Sequence, residues 1–189
     1  MSTKKIVITG GPSTGKTSVI EYLENLGYPC LHEVIRLMTL AQKEEKNDLV
    51  FKTNPIVSVA DPKEFNERIL NARVSQYHSL KGVATDEVVF FDRGIPDVLA
   101  YMDCFGQAYG TDFEKACTDH PYDHVFIMPP WKEIHVSDNE RFENYEESLQ
   151  VHRCLTHSYT QLGYEVEMVP KMAVAERAAY ILDAIKNKT

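Results

Sequence analysis

The sequence predicts an α/β fold in three layers, α/β/α, with a mainly parallel sheet of five strands between two layers of helices. Three observations predict it. Apolar runs too short for helices recur along the chain, segments with helical spacing separate them, and a glycine-rich turn joins the first run to the first helix. The 189 residues suffice for one well-buried domain, 1–189, and are too few for two full ones.

Ile6-Val7-Ile8 ends at Thr9-Gly10-Gly11 and reads as a buried strand. From Lys16 the period changes: Val19, Ile20, Leu23 and Leu26 mark one helix face, closed by Gly27. Tyr28 to His32 reads as a second strand, followed by a helix over roughly Glu33 to Glu45. Asp48 to Ala60 carries no period and is expected to be irregular. Asp61 and Pro62 supply an N-cap and a first-turn proline to a helix running past Phe65, Ile69, Ala72 and Tyr77 to about Leu80. Val88 to Phe91 and Val125 to Met128 are apolar on both faces, as strands buried in a parallel sheet are. Tyr164 to Val169 is a weaker fifth strand, and Ala175, Ala178, Ala179, Leu182 and Ile185 mark a closing helix. Strand and helix alternate throughout, so right-handed crossovers are expected, with any ligand beyond the carboxyl ends of the strands.

The net charge of -8 and the absence of a Lys/Arg cluster exclude a nucleic acid held by its backbone. No apolar run approaches the length of about 20 residues that spans a bilayer, so membrane insertion is excluded. Cys30, Cys104, Cys117 and Cys154 are scattered without a CxxC pair and read as free thiols in a reducing, cytoplasmic setting. Seven histidines offer no zinc-ligand spacing.

The first turn carries chemistry. Gly10-Gly11-Pro12-Ser13-Thr14-Gly15-Lys16-Thr17 satisfies G-x-x-x-x-G-K-[ST], after a strand and before a helix, with Ser18 in the first helical turn. Such a P-loop points its backbone N–H groups at phosphate oxygens, and the helix N-terminus adds partial positive charge. Lys16 is expected at the β- and γ-phosphates of ATP, and the Thr17 hydroxyl on Mg2+. The second magnesium-side group is Asp92, which leaves the apolar run Val88 to Phe91. A helix-capping role is its competing reading. Arg93 follows and suits a substrate phosphate or the γ-phosphate in transfer; a structural salt bridge is the alternative.

Absences narrow the class. NKxD is represented only by Asn187-Lys188 at the chain end, Asp92 opens no DxxG, and no LSGGQ occurs. The length leaves no room for the helical lid domain of a ring-forming motor. Small-molecule kinases, with substrate helices and a mobile lid, remain. The lid is expected around residues 129–147.

His32-Glu33-Val34-Ile35-Arg36, Phe91-Asp92-Arg93-Gly94 and Pro129-Pro130-Trp131 followed by Asp138 and Arg141 resemble the NadR-like kinase domains. These belong to a broader set of small P-loop proteins labelled AAA ATPases. The resemblance covers essentially the whole chain and implies transfer of phosphate from ATP to a small acceptor. By it Glu33 binds the acceptor hydroxyl or acts as its base with Arg36 nearby, Asp92-Arg93 form an acid–arginine pair, and Arg141 is a lid arginine. The spacing from Trp131 to Asp138 and Arg141 departs from NadR.

Read without the resemblance, Glu33 and Arg36 share a helix face and are an ordinary i,i+3 ion pair or part of a site. Trp131 stacks on a base or substrate ring, or packs under a loop. Arg141 lies in a polar run and is a lid or a surface arginine. Glu140, Glu143, Glu146 and Glu147 read as a solvated helix face. Tyr101 to Gly110 lines a pocket or forms a packed loop. The expected activity is a nucleoside- or nucleotide-kinase-like phosphotransferase using Mg-ATP. Its rival is an ATPase or GTPase binding module whose nucleotide state controls a protein or phosphoinositide partner. Base preference, acceptor and the choice between monomer and homodimer stay open.

Overall fold

The structure is a computed structural model and describes residues 3–35, 62–80, 88–134 and 145–187. Five strands form one sheet: β1 (Lys4–Gly10), β2 (Cys30–Leu31), β3 (Val88–Asp92), β4 (His124–Met128) and β5 (Val166–Met168). Their order is β2-β3-β1-β4-β5, and every pairing is parallel. The helices are α1 (Lys16–Asn25), α2 (Pro62–Ser79), α3 (Pro96–Cys104), α4 (Thr111–Asp119), α5 (Tyr145–Gln161) and α6 (Val174–Asn187).

Alternation along the strands divides the core. Ile6, Ile8, Phe90, Phe126 and Met128 point to one face, where they pack with Val19, Ile20 and Leu23 of α1 and Ala178, Ile181 and Ile185 of α6. Val7, Val89, Phe91, Val125 and Ile127 point to the other, against α3, α5 and parts of α2 and α4. Both faces are apolar because both are covered, which makes the strands read as continuous hydrophobic runs.

The chain leaves β1 toward β2 on one side and leaves β3 toward β4 on the other. That reversal opens a crevice beyond the carboxyl ends of β1 and β3. Gly10 closes β1 opposite Met128, at φ 147°. A Cβ there would stand 2.6 Å from the Met128 carbonyl oxygen, so the close approach of β1 to β4 requires glycine.

Several expectations shift. β2 is confined to Cys30–Leu31 and β5 to Val166–Met168, because only these residues pair with a neighbouring strand. The helix after β2 is described only at Val34 and Ile35, and Asp61 and the stretch 48–60 lie outside the described residues. Leu26 caps α1 and is 53% exposed, so the buried face ends at Leu23, while Gly27 closes the helix at φ 93° as expected. On α6 the buried stripe is Arg177, Ala178, Ile181 and Ile185; Ala175 and Ala179 are exposed. Alanine carries too little apolar surface to mark a face by itself. The segment from Tyr101 begins inside α3, where Tyr101 is buried. The four cysteines are free, and Cys104 of α3 lies beside Cys154 of α5, a proximity that sequence spacing hides. No helix among the described residues is long and apolar enough to cross a membrane.

Gly10→Ala is expected to destabilise the protein by roughly 3 kcal/mol, the combined effect of positive φ and a backbone clash. Urea denaturation of the variant beside wild type measures it. A change within 0.5 kcal/mol, on the order of an ordinary surface substitution, would refute the close approach.

Candidate functional site

The P-loop curls at the carboxyl end of β1, with Ser13 and Gly15 in left-handed backbone at φ 55° and 80°. The Thr14 hydroxyl donates to the Gly11 carbonyl at 2.9 Å, and Lys16 Nζ folds over the loop to donate to the same carbonyl at 2.7 Å. Two helices back the turn. The Ser148 hydroxyl of α5 donates to the Pro12 carbonyl at 3.4 Å and would stand 3.0 Å from a Cβ on Gly11. Arg177 Nη1 of α6 donates to the Thr14 carbonyl at 3.1 Å.

Lys16 is only 7% exposed. Burial, then the Arg93 charge, pushes its ammonium down to about 8, against the pull of Asp92, Glu33 and Asp97. Asp92 lies at the end of β3 and is buried, with Oδ1 lacking any hydrogen-bond partner. Burial and then Glu33 raise it to about 6, although Lys16, Arg93 and Arg73 act the other way.

Arg93 adopts φ 73°, a strained conformation for a residue with a side chain, while its backbone N–H donates to the Ile8 carbonyl at 3.1 Å. Its Nε lies 2.7 Å from Glu33 Oε1, close enough for strong attraction but out of line for a hydrogen bond. Its Nη1 donates to Asp97 Oδ1 at 3.1 Å, and its Cζ stands 5.3 Å from the Tyr101 ring centroid. Burial works to raise Glu33, but Arg93, Lys16 and Arg73 prevail and hold it below the usual glutamate value.

Asp97 was not singled out by sequence, where an acid in a helix's first turn looks like a cap. It is a buried junction. Oδ1 accepts from the Thr9 hydroxyl at 2.7 Å and from Arg93; Oδ2 accepts from the Gly94 N–H at 3.1 Å and the Tyr159 hydroxyl at 2.6 Å. Burial would raise its pKa, yet Arg93, Arg73 and these hydroxyls keep it low. Gly94 lies so close that a Cβ would strike the Tyr159 hydroxyl.

Arg73 of α2 was also missed, since an arginine in a helical run usually reads as solvated. It is 3% exposed, its Nε and Nη1 lack partners, and its charge acts on Glu33, Asp92 and Asp97. Two turns earlier on the same buried stripe, Asn66 donates to Gln107 Oε1 at 2.7 Å while its own Oδ1 is unpaired.

Of the residues expected from sequence, Lys16, Glu33, Asp92 and Arg93 therefore gather in one electrostatic cluster at the crevice, beside the loop Gly10 to Ser18. Trp131 stands apart from them, 5.7 Å from Arg177 Cζ on the outer side of the loop. Arg36, Asp138 and Arg141 lie outside the described residues, as do positions 135–144 of the expected lid.

The sequence profile of the AAA domain family matches residues 5–177. The chain belongs to that AAA domain family. No curated protein matches it in sequence. Among solved structures it is similar to deoxyadenosine kinase from M. mycoides, at 18% identity and TM-score 0.65, covering 97% of this chain and 100% of that one. NadR in complex with NR is similar at 19% identity and TM-score 0.70, covering 98% of this chain and 51% of that one. Thymidylate kinase from Candida albicans is similar at 12% identity and TM-score 0.67, covering 99% and 92%. At these identities the likeness establishes a shared P-loop kinase-like fold.

Asp97→Asn is expected to lose about 3 kcal/mol, because a buried arginine loses a charged partner, whereas Tyr159→Phe loses only about 1 kcal/mol; urea denaturation at pH 7 ranks the two. Asp92→Asn has the opposite sign. Moving a carboxyl from 3.8 to about 6 opposes folding by roughly 3 kcal/mol once ionised, so the amide should stabilise by about 1–2 kcal/mol after its own desolvation. The gain is full above about pH 6 and fades as pH falls to 3.8, where wild-type Asp92 is protonated folded and unfolded alike. Denaturation at pH 7.5 and at pH 4 checks both ends.

Proposed function

We propose that this protein is a phosphotransferase that moves the γ-phosphoryl group of ATP to a small-molecule acceptor, in the manner of nucleoside and nucleotide kinases. The observation that carries this reading is a buried arginine of α2 with unmet donors, whose charge acts on Glu33, Asp92 and Asp97. Arg73 Nε and Nη1 are buried without partners, and so is Asn66 Oδ1 two turns earlier on the buried stripe of α2. Buried polar atoms are seldom left so in a finished fold. A plain NTPase has no need of Asn66 and Arg73 there; an acceptor with hydroxyl and ring polar atoms would satisfy them.

The loop N–H groups and Lys16 would hold the β- and γ-phosphates, and residues 10–18 form that cradle. Thr17 and Asp92 would hold Mg2+, and their hydroxyl and carboxylate oxygens suit a hard cation. The unpaired, reluctantly ionised Asp92 fits that partner, since a cation stabilises its charged form. Magnesium, when bound, neutralises charge on the phosphate oxygens.

Arg93 is aimed by Glu33 and Asp97 so that its guanidinium faces the crevice as a fixed charge. Glu33 keeps 26% of its side chain exposed, enough to receive a hydroxyl. Held below the usual value, it would be ionised at neutral pH and would accept the acceptor's proton late, orienting the hydroxyl before then. That suffices for a loose transition state. Arg36, Arg141, Trp131 and the lid at 129–147 complete the proposal, as does a single kinase-like domain over residues 1–189.

ADP release from Mg-ATP, with nicotinamide riboside, nucleosides, deoxynucleosides and their monophosphates as acceptors, tests the reading. One acceptor is expected to raise turnover about a hundredfold over the basal rate, about 2.7 kcal/mol of barrier. Lys16→Ala should abolish both rates. Glu33→Gln should lower the acceptor-dependent rate by roughly 10²–10⁴ and the basal rate by much less. Slow ADP release that depends on Lys16 and ignores every acceptor would instead favour a nucleotide-dependent module with a protein or phosphoinositide partner.

A further inference from the structure

At the end of the sheet opposite the crevice, two histidines from different helices meet. His78 lies in the last turn of α2 and is exposed; His120 caps the end of α4 and is half-buried. The Asp123 carboxylate accepts from the Lys5 N–H at 2.7 Å, which places this corner at the amino ends of β1 and β4. The two Nε2 atoms stand 3.0 Å apart while the ring centroids are 4.9 Å apart, so the nitrogens face each other. Tyr77 sets both rings. It meets His78 edge-on at 5.9 Å and His120 at 5.0 Å, and its own hydroxyl donates to the Pro121 carbonyl at 2.7 Å.

The protonation pattern of the pair follows from one contact. His120 Nδ1 lies 2.7 Å from the Ala116 carbonyl, which can only accept, so Nδ1 carries the proton. In the neutral ring Nε2 then presents a bare lone pair toward His78. An imidazole whose Nδ1–H is held by a backbone carbonyl has its tautomer fixed and its basicity raised, which is how metal-binding histidines are supported. The spacing fits a shared cation. With metal–nitrogen bonds of about 2.0–2.1 Å, nitrogens 3.0 Å apart subtend about 91–97° at the metal. That is the right angle of tetragonal coordination, narrower than a tetrahedron's, and with imidazole ligands it suits copper(II) and nickel(II). Among the described residues no group of three His, Cys, Asp or Glu converges, so the two ring nitrogens are the share those residues supply. The exposed acids Asp119 and Asp123 flank His120 and favour a cation, while Lys5 Nζ, 5.2 Å from the Tyr77 centroid, opposes it in part.

We propose that His78 and His120 form a two-nitrogen chelate for a divalent late transition cation, copper(II) or nickel(II), at the end of the sheet opposite the phosphate loop. The site is independent of the phosphotransfer reading. The cation takes one lone pair from each Nε2. The proton on His78 Nε2 passes through solvent to its Nδ1, so both rings stay neutral and the pair releases no net proton. The two histidines are 42 positions apart, which is why no ligand spacing in the sequence announces them. A bound cation ties the end of α2 to the end of α4, and it does so only in the folded chain.

Calorimetric titration of the full chain with nickel(II) near neutral pH tests it, on wild type, His78→Gln, His120→Gln, the double variant and His157→Gln. Nickel is the probe because the chain's free thiols would reduce copper(II). Wild type should bind one nickel ion per chain. Each of the first two variants should weaken it by at least about tenfold, since losing even a supporting group costs a metal site that much. The double variant should add less than about twofold, because one imidazole cannot chelate. His157→Gln, which removes an exposed histidine of α5, should change affinity by less than about twofold. Excess Mg2+ should leave nickel in place, since magnesium takes oxygen ligands. The urea midpoint of wild type should rise with nickel, and that rise should vanish in the double variant. Loss in only one of the single variants would make the binding that of a lone surface histidine and overturn the chelate. Equal loss in His157→Gln, displacement by Mg2+, or no one-to-one binding would overturn it too. Should a variant fail to fold, wild-type NMR decides: nickel should broaden the His78 and His120 ring signals first, and broadening that starts at other histidines refutes the site.

Discussion

The buried charge network around Asp97 ties the ends of the two central strands to the helices that cover them. One carboxylate gathers donors from Thr9 on β1, Arg93 and Gly94 after β3, and Tyr159 on α5. In a low-dielectric interior such a group is tolerable only when every lone pair is met, and then it fixes each partner. The strain of Arg93 at φ 73° is sustained by this network, because Asp97 and Glu33 hold its side chain from two directions. The crevice inherits its geometry from that one anchored arginine.

The phosphate loop depends on a different constraint, close approach. Gly10 admits the Met128 carbonyl, Gly11 admits Ser148 of α5, and Gly15 admits Arg177 of α6. The motif's glycines thus serve the packing of the fold. A loop whose outer surface is packed on two helices has its N–H groups already arranged, which lowers the entropy lost when a ligand is gripped.

Charge is distributed unevenly across the site. On the crevice side, positive groups (Arg93, Arg73, Lys16) interleave with Glu33, Asp92 and Asp97, so each pKa is a compromise between burial and neighbours. On the outer side Arg177 has no acid among the described residues. The two halves differ in charge: acids and bases alternate at the crevice, and a buried cation lies beside an aromatic ring on the outer side. Perturbed groups concentrated in one crevice are what functional sites present.

The sequence by itself determined the α/β class, the parallel sheet and the phosphate loop, because these rest on local signals: strand runs apolar on both faces, helical period, and a glycine spacing read within eight residues. It also marked Lys16, Glu33, Asp92 and Arg93, which stand at strand ends where short motifs point. Only the tertiary structure decided the rest. Asp97, Arg73 and Arg177 each resemble a common surface or capping residue along the chain, and their partners lie far off in sequence: Tyr159 is 62 positions from Asp97, and Thr14 is 163 from Arg177. Burial of a polar side chain is a property of what packs over it. No local pattern encodes that, so the charges that matter most here became visible once the helices closed on the sheet.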